Sequence, residues 1–313
     1  MLPPGDLLRA PTTQDMVQAS GRAVPSLRED LRRIPSYRNA LSVVSTYAQT
    51  VLVFVLVAWI GPLAWLPGLV LLGRAHAQLA ALMHEAAHRL LFRDRHLNDW
   101  VGRWIVGYPS FASTDAYRRV HMAHHRQEFG PDEPDLPLYN GYPITSDSLR
   151  RKLVRDATGR TGWKLMKNQL RAFRSPDRRT RRTIWSILLV QLMIVAVMAS
   201  FGRPWLYLLW LGSYLTVWRV INRLRAIAEH GGMKASPDRR ETTHSVRQHW
   251  LGRCFLVPYN IGWHLAHHVD SGVPFRNLPR YHRLLIDAGY VTPGLEYPTY
   301  PALWRKLSSR SAA

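Results

Sequence analysis

The chain has 313 residues, of which one is cysteine and only 21 are acidic. A single cysteine, Cys254, excludes a disulfide framework and favours a reducing compartment. Residues 1–40 lack the apolar core of a secretory signal peptide. The few acids stand against 42 lysines and arginines, which gives a formal net charge of +21. This excess predicts contact with anionic lipid headgroups or an acidic protein. It is not accompanied by a nucleic-acid-binding motif, so nucleic acid is not an expected partner.

Histidine, by contrast, is concentrated in three short clusters that hold eight of the fourteen histidines. Side chains at i, i+3 and i+4 share one face of a helix, so each cluster can direct its imidazoles toward one point. Neutral imidazole is the commonest protein metal ligand and suits iron, zinc and copper. The clusters therefore predict a metal centre. They read His84-Glu85-Ala86-Ala87-His88, His121-Met122-Ala123-His124-His125 and His264-Leu265-Ala266-His267-His268.

Long apolar stretches predict an all-α integral membrane protein. Mean hydropathy is only −0.18 because about half the chain is arginine-rich and polar. We expect four transmembrane helices in two hairpins, with turns at Gly61-Pro62 and Gly202-Arg203-Pro204. The predicted organisation is a basic N-terminal segment at 1–40, a membrane domain at 41–290 and a tail at 291–313. The crossings are expected at 41–60, 63–83, 183–201 and 205–226, and a histidine-rich cap at 84–182 and 227–290.

The distribution of basic residues predicts the orientation of these crossings. The two hairpin turns carry a single basic residue, Arg203, and the remaining basic residues lie in the terminal segments and long loops. The positive-inside rule then places both termini, the cap and every histidine cluster on the cytoplasmic side of a multi-pass protein.

A ninth histidine, His230, follows Glu229 at the predicted end of the fourth crossing, level with His84 and His88. Nine imidazoles exceed the needs of one metal and suit two ions with four or five ligands each. Two histidine-rich ions at a membrane surface favour dioxygen activation by iron. Soluble di-iron proteins use mostly carboxylate ligands, so a centre with nitrogen ligands would be of a different kind. The predicted ligands and catalytic residues are His84, His88, His121, His124, His125, His230, His264, His267 and His268.

Ligating histidines usually donate their second N–H to a carboxylate or carbonyl. Glu85, Glu229 and Asp270 lie close to predicted ligands in sequence, and Asn260 precedes His264 by one helical turn. Each of these four residues is a candidate partner of a ligand, and each is equally compatible with an ordinary surface or turn position. The remaining histidines fit no cluster. His76 is predicted to form an interior hydrogen bond, and His96, His244, His249 and His282 are predicted to be surface groups.

At these residues the chain resembles the membrane fatty-acid desaturase and hydroxylase superfamily, from about Leu41 to Tyr290. His-x-x-x-His, His-x-x-His-His and His-x-x-His-His, in that order around two hairpins, are that family's three histidine boxes. Within it, the pattern is most similar to the dihydroceramide-type (sphingolipid) desaturases. Their third box follows Asn-x-Gly-x, as in Asn260-Ile261-Gly262-Trp263, and their isolated histidine follows Glu. The resemblance implies two iron ions, dioxygen as co-substrate and an acyl lipid or acyl-thioester substrate.

The chain also departs from parts of that family. The stearoyl-CoA desaturases have one more residue in the first box and an Asn where this chain has Ala226, so their acyl-CoA Δ9 chemistry is not implied. The segment Val269–Pro274 differs from the sphingolipid enzymes, which leaves the substrate open. The sequence contains no His-Pro-Gly-Gly motif of a fused cytochrome b5 and no haem, flavin or iron–sulfur motif. Electrons are therefore expected from an acidic carrier of ferredoxin, rubredoxin or cytochrome b5 type, with its reductase.

Three alternatives accompany this interpretation. Hydroxylation or ketolation of a lipid or carotenoid would use the same centre, and the boxes do not separate it from desaturation. His84-Glu85-x-x-His88 is also the motif of zinc proteases, but a protease would leave both His-x-x-His-His clusters without a role. A metal transporter would place its ligands near the bilayer midplane, whereas these histidines are predicted at one edge of the membrane.

Overall fold

The computed structural model describes residues 2–12 and 15–311 of the chain. The described chain is mainly helical and includes one parallel pair of two-residue strands, β1 Ser245–Val246 and β2 Glu296–Tyr297. The helices are α1 Pro25–Leu31, α2 Ser36–Ile60, α3 Trp65–Ala87, α4 Arg95–Trp100, α5 Thr114–Arg126, α6 Leu136–Tyr139, α7 Ser146–Ala157, α8 Arg160–Arg171, α9 Arg178–Ser200, α10 Leu206–Leu215, α11 Val217–His230, α12 Arg239–Thr242, α13 Trp250–Phe255, α14 His264–Val269, α15 Leu278–Asp287 and α16 Tyr300–Leu307.

The chain forms two compact units. Unit 1 comprises Met1–Ile34, Arg118–Arg150 and Arg223–Ala313, and unit 2 comprises Pro35–Tyr117 and Arg151–Asn222. The second and third histidine clusters lie in unit 1. The first cluster and the long apolar helices lie in unit 2.

Among residues 2–12 and 15–311, three helical stretches are long and apolar enough to cross a membrane. They contain α2, α3 and α9, and so coincide with the first three predicted crossings. Large apolar side chains stay exposed along them, with Trp59 82% and Leu63 88% accessible. Exposed apolar surface on this scale is stable only against lipid or a partner. Unit 2 is therefore the membrane part of a membrane protein.

The fourth predicted crossing differs from the single continuous helix expected for residues 205–226. The structure breaks it at Thr216 (φ −117°, ψ −84°) into α10 and α11. A Cβ at Gly162 of α8 would lie 2.3 Å from the carbonyl oxygen of Leu215, so α8 packs directly on the break. The carbonyl of Tyr214 accepts a hydrogen bond from Nε of Arg219 at 3.1 Å. The break persists because the backbone group it frees has a side-chain donor.

Helix α3 is the best-buried of the three long helices. Its glycines allow this, because a Cβ at Gly73 would lie 2.3 Å from Cγ1 of Val217. His76 is buried between helices and donates from Nε2 to the carbonyl of Trp210 at 3.2 Å, with the two rings 3.9 Å apart. This is the interior hydrogen-bonding role predicted for His76.

Unit 2 also contains an apolar cavity of about 890 Å³. Helices α2, α9 and α10 supply most of its wall, and among the described residues Arg203 is the one cationic side chain that lines it. Phe54, Ile194 and Trp210 are among its aromatic and aliphatic lining side chains. The size and lining are those of a site for a largely apolar ligand.

Helix α14, which is buried over its whole length, and one face of each of α15 and α16 contribute to the core of unit 1. Leu265, Leu285, Leu303 and Leu307 are each at most 2% exposed. Strands β1 and β2 pair Ser245 with Glu296 and Val246 with Tyr297, which joins the end of the chain to the segment before α13. The residues predicted as a C-terminal tail therefore pack into the unit that holds the second and third clusters.

Candidate metal centre

Helix α5 carries the second histidine cluster. Because His121, His124 and His125 stand at i, i+3 and i+4, they leave the helix on one face. His121 and His124 are buried, and His125 is half-buried. The Nε2 atoms of His121 and His125 lie 3.1 Å apart. The cluster is thus helical and convergent, as its spacing predicts.

Helix α14 carries the third cluster and is buried over its whole length. The Nε2 atoms of His264 and His268 lie 3.0 Å apart, and Nε2 of His267 lies 3.1 Å from Nε2 of His125. His230, the last residue of α11, brings its Nε2 to 3.1 Å from that of His264. Unit 1 therefore brings together the seven predicted ligands that belong to it.

These seven imidazoles fall into two adjacent groups. His124, His230 and His268 offer donor atoms within 4.8 Å of one another, and Nε2 of His264 joins them through His230 and His268. The second group, His121, His125 and His267, is linked by the Nε2 contacts of 3.1 Å. Two neighbouring sets of nitrogen donors are the arrangement that two metal ions require.

The four imidazoles of the first group each turn Nδ1 toward an oxygen. His268 donates to Oε1 of Glu128 at 2.6 Å, and His230 donates to the carbonyl of Thr242 at 2.8 Å. His124 donates to Oε1 of Glu133. Nδ1 of His264 has no hydrogen-bond partner among the described residues, and Oε1 of Glu229 is the nearby acceptor at 3.5 Å. The oxygens that face Nδ1 of these imidazoles therefore belong to Glu128, Thr242 and Glu133, and to Glu229 at longer range.

The hydrogen bonds from Nδ1 fix the tautomer of His124, His230 and His268, because a neutral imidazole carries only one N–H. With that proton on Nδ1, His230 and His268 both direct Nε2 lone pairs at Nε2 of His264, across 3.1 and 3.0 Å, and a proton on that one atom could satisfy only one of them. Facing lone pairs at this distance repel unless a cation lies between them. The donor set therefore fits a metal ion bound through Nε2, with the outer hydrogen bonds that ligating histidines usually make.

Both carboxylate oxygens of Glu133 accept hydrogen bonds. Its Oε1 accepts from Nδ1 of His124 and from the hydroxyl of Tyr139, and its Oε2 accepts from the backbone N–H of Phe129. Tyr139 is 2% exposed, and its ring lies 5.0 Å from that of His230. Glu133 and Tyr139 therefore hold two of the histidines in place from outside the cluster.

Burial keeps most of the cluster uncharged. It lowers the pKa of His264 and His268 well below the ordinary value of 6.5. Burial also acts to lower the pKa of His124, but the hydrogen bond to Glu133 raises it. Burial raises the pKa of Glu128, against the effect of Arg239, whose Nη1 lies 2.6 Å from Oε1. Neutral imidazole is the form that binds metal.

The structure places the four candidate partner residues in different surroundings. Glu229 lies beside His264 but accepts its hydrogen bond from Nε of Arg225 at 2.6 Å. Asp270 instead accepts from Nε of Arg28 at 2.6 Å and from Arg32, and these bonds tie α1 to the end of α14. They also lower the pKa of Asp270 against the effect of burial.

Asn260 and Glu85 are the other two candidates. Oδ1 of Asn260 accepts from Arg253 at 3.0 Å, which holds a loop before the third cluster. Glu85 is buried in unit 2, at 2% exposure. Glu128 and Glu133, which hydrogen-bond clustered histidines of unit 1, were not among the candidates. The signal was present, because Glu128 follows His125 by three residues, almost one further helical turn.

The first cluster lies at the end of α3 in unit 2. His84 is buried, and the His84 and His88 rings lie 4.8 Å apart. The buried amide of Asn98 shapes the chain that follows, since it donates to the carbonyl of Ala86 at 2.9 Å and accepts from the N–H of Leu91 at 3.1 Å. The turn after the cluster is therefore fixed by an asparagine that the sequence pattern did not single out.

Two histidines predicted at the surface are buried instead. His244 is 5% exposed and donates from Nε2 to the carbonyl of Gly231 at 2.7 Å. His282 is 6% exposed and bonds Glu296 at 2.9 Å. The prediction was wrong because each ring has an internal acceptor, which neighbouring arginines in the sequence do not reveal.

Comparison with known proteins agrees with this geometry. Residues 60–301 match the fatty acid desaturase family. Over 250 residues, 74% of this chain and 70% of the relative, the chain is 28% identical to a dihydrorhizobitoxine desaturase of Bradyrhizobium elkanii. Over 87 residues it is 34% identical to the Delta(5) fatty acid desaturase fat-4 of Caenorhabditis elegans, covering 27% of this chain and 19% of that relative. The chain belongs to the fatty acid desaturase family and is a membrane oxidoreductase.

Proposed function

We propose that the protein binds two iron ions and uses dioxygen to introduce a double bond into the acyl chain of a lipid. The observation that carries the proposal is the cluster in unit 1. Its imidazoles turn Nε2 inward at separations of 3.0 to 3.1 Å, while three of them turn Nδ1 outward to buried oxygens. Nitrogen-rich sites of this kind suit iron, and affinity alone would also favour zinc.

All nine histidines of the sequence pattern are assigned as ligands. Seven lie in the unit 1 cluster, and His84 and His88 are assigned because the first box precedes the other two in the family order. Glu128, Glu133 and the carbonyl of Thr242 orient His268, His124 and His230.

The proposed reaction consumes one dioxygen, two electrons and two protons for each double bond. The substrate loses two hydrogens from adjacent methylenes, and two waters form. When bound, the iron ions supply oxygen activation. The chain's own residues hold the ions, keep the imidazoles neutral by burial and exclude bulk water from the cluster.

A lipid substrate agrees with the family and with the apolar cavity of unit 2, which can accept an acyl chain. The name of the Bradyrhizobium relative states desaturation of dihydrorhizobitoxine, so that compound is the second substrate to test. Hydroxylation of a lipid or carotenoid is the alternative outcome, since it differs only in the step after hydrogen removal.

We assign the termini and the cluster to the cytoplasmic side of a multi-pass protein. The support is the position of Arg203 as the one basic residue in the predicted hairpin turns. Electrons are assigned to an acidic carrier of ferredoxin, rubredoxin or cytochrome b5 type, which the net charge of +21 would attract.

The test combines metal analysis with lipid mass spectrometry. Active protein purified in nanodiscs should contain two irons per chain, and lipids from expressing cells should include species lighter by two hydrogens. His124→Ala should abolish both, whereas replacement of the exposed His96 with alanine should change neither. One zinc without iron in active protein would refute the proposal. Products heavier by one oxygen would identify a hydroxylase.

A further inference from the structure

Unit 1 has a concave site of its own. Its volume is about 380 Å³, and it is lined by α13, the loop after it and the pair Phe275 and Arg276. Trp250 and Leu251 of α13 stay 66% and 48% exposed. Exposed tryptophan beside arginine is the composition enriched at the centre of protein interfaces.

The charge of this pocket has one sign. Among the described residues that line it, two are arginine, Arg253 and Arg276, and none is acidic. Arg253 donates to the neutral amide oxygen of Asn260 at 3.0 Å, and no acid among the described residues forms an ion pair with it. A protruding carboxylate of a partner would complement this pocket.

The pocket is connected to the histidine cluster through one side chain. The guanidinium of Arg253 lies 5.3 Å from the ring centre of Trp263. Trp263 is bonded to His264, whose Nε2 meets those of His230 and His268 at 3.0 to 3.1 Å. An indole directly before a proposed ligand gives a short covalent route from the pocket into the cluster.

The loop between pocket and cluster is held in an unfavourable conformation. Tyr259 and Asn260 are consecutive non-glycine residues with positive φ, at 58° and 65°. Such residues cost energy and persist where surrounding contacts enforce them, often at functional sites. Here the bond from Arg253 to Asn260 is one of those contacts, and the ring of Tyr259 packs 5.7 Å from that of Phe275.

We infer that this α13 pocket is the docking surface for an acidic one-electron carrier and that Trp263 conducts its electrons to His264. The inference rests on the proposed function, because it requires a redox centre at the cluster. Each encounter oxidises the carrier by one electron, and two encounters supply the two electrons that each double bond consumes. A bilayer would use Trp250 and Leu251 as anchors but would need neither the two arginines of the pocket nor the connection through Trp263.

The first experiment measures binding, independent of turnover. Full-length protein in zwitterionic nanodiscs is titrated with a plant-type [2Fe–2S] ferredoxin and with a soluble cytochrome b5 domain, across a salt series. The double variant Arg253→Glu with Arg276→Glu should bind the preferred carrier about tenfold more weakly than the unaltered protein at low salt. High salt should reduce this difference in affinity between the two proteins. The matched control is Arg305→Glu with Arg310→Glu, which changes net charge equally at exposed positions of unit 1 and should weaken binding less than twofold.

The second experiment separates conduction from docking. Under anaerobic single-turnover conditions, Trp263→Leu should slow oxidation of the bound carrier about tenfold with unchanged carrier affinity and metal content. Trp263→Phe should restore part of the rate. If Arg253 variants fail to fold, Arg276→Glu alone carries the binding test.

Three results would overturn the inference. If the pocket double variant and the control double variant weaken carrier binding equally, the pocket is not the docking surface. Carrier binding that survives in the pocket variant while its binding to phosphatidylglycerol vesicles is lost would make the pocket a membrane contact. A normal reduction rate in Trp263→Leu would exclude the conduit. If instead the unaltered protein holds no iron and turns over no substrate, the proposed function fails, which is a different outcome.

Discussion

Replacing Glu133 with glutamine should weaken metal binding while leaving the fold intact. The carboxylate accepts three hydrogen bonds, from His124, Tyr139 and the backbone of Phe129. Glutamine has the same shape but presents an NH₂ donor at one of the two oxygen positions. That donor must face the N–H of Phe129 or that of His124, so at least one buried bond is lost whichever way the amide is turned.

The magnitude follows from these bonds. A buried hydrogen bond to a charged group contributes about 1.5–3 kcal/mol. Loss of an outer partner of a metal-bound histidine typically reduces affinity about 10- to 100-fold, or about 1.4–2.7 kcal/mol. Both estimates lead to the same expectation for Glu133→Gln. Tyr139 acts on His124 through Glu133. Combining Tyr139→Phe with Glu133→Gln should therefore lower metal affinity little further than Glu133→Gln alone.

The assay is competition with an iron chelator, followed by metal analysis of the protein after gel filtration. Glu296→Gln is the matched control, because Glu296 also bonds a buried histidine of unit 1, His282 at 2.9 Å, outside the cluster. The reasoning is refuted if Glu133→Gln retains iron like the unaltered protein. It is also refuted if Glu296→Gln loses as much.

Three further predictions concern other parts of the chain. Burial lowers the pKa of His244 to about 4 from 6.5, so the contribution of this residue to stability is complete above pH 6.5. That contribution is lost as the pH falls toward 4, by at most about 1.4 kcal/mol per pH unit. In thermal unfolding of the metal-free protein, the stability difference between the unaltered protein and His244→Gln should therefore shrink over this range. Gly162→Leu should lower the melting temperature by several degrees, since even a Cβ would lie 2.3 Å from Leu215 O, whereas Gly202→Leu, with no atom within 4 Å of its Cβ position but φ at 67°, should cost less. Cysteine labelling in intact cells should reach a cysteine placed at Gly202 from outside and one placed at Ser148 only after permeabilisation; labelling of position 148 from outside would contradict the positive-inside assignment.

The histidine pattern predicted which residues meet in unit 1, because helical spacing fixes the face on which they lie. His121, His124 and His125 converge for this reason, and so do the three of α14. Spacing carries no information on what stands behind each ring. Asp270 follows the third cluster closely but bonds Arg28 and Arg32, whereas Glu133 reaches His124 from a loop.

Apolar length predicted α2, α3 and α9 but not the division of the fourth stretch. Hydropathy reports whether a segment tolerates lipid, and it does not report where a helix breaks. The break at Thr216 depends on Gly162 contacting Leu215 and on Arg219 reaching the carbonyl of Tyr214. The first is a tertiary contact and the second is a side-chain bond across five residues, so a window average of hydropathy detects neither.

The family match ends at residue 301, the second residue of α16. The folding unit extends further, because Leu303 and Leu307 are fully buried and the backbone N–H of Ile144 donates to the carbonyl of Leu307 at 2.9 Å. A gene truncated at the family boundary would therefore delete part of the core that supports the second cluster. Positions after Ser309 should tolerate an affinity tag. A stop codon before Leu303 should instead yield protein that inserts into the membrane but does not retain metal. Iron analysis of the truncated product tests this expectation.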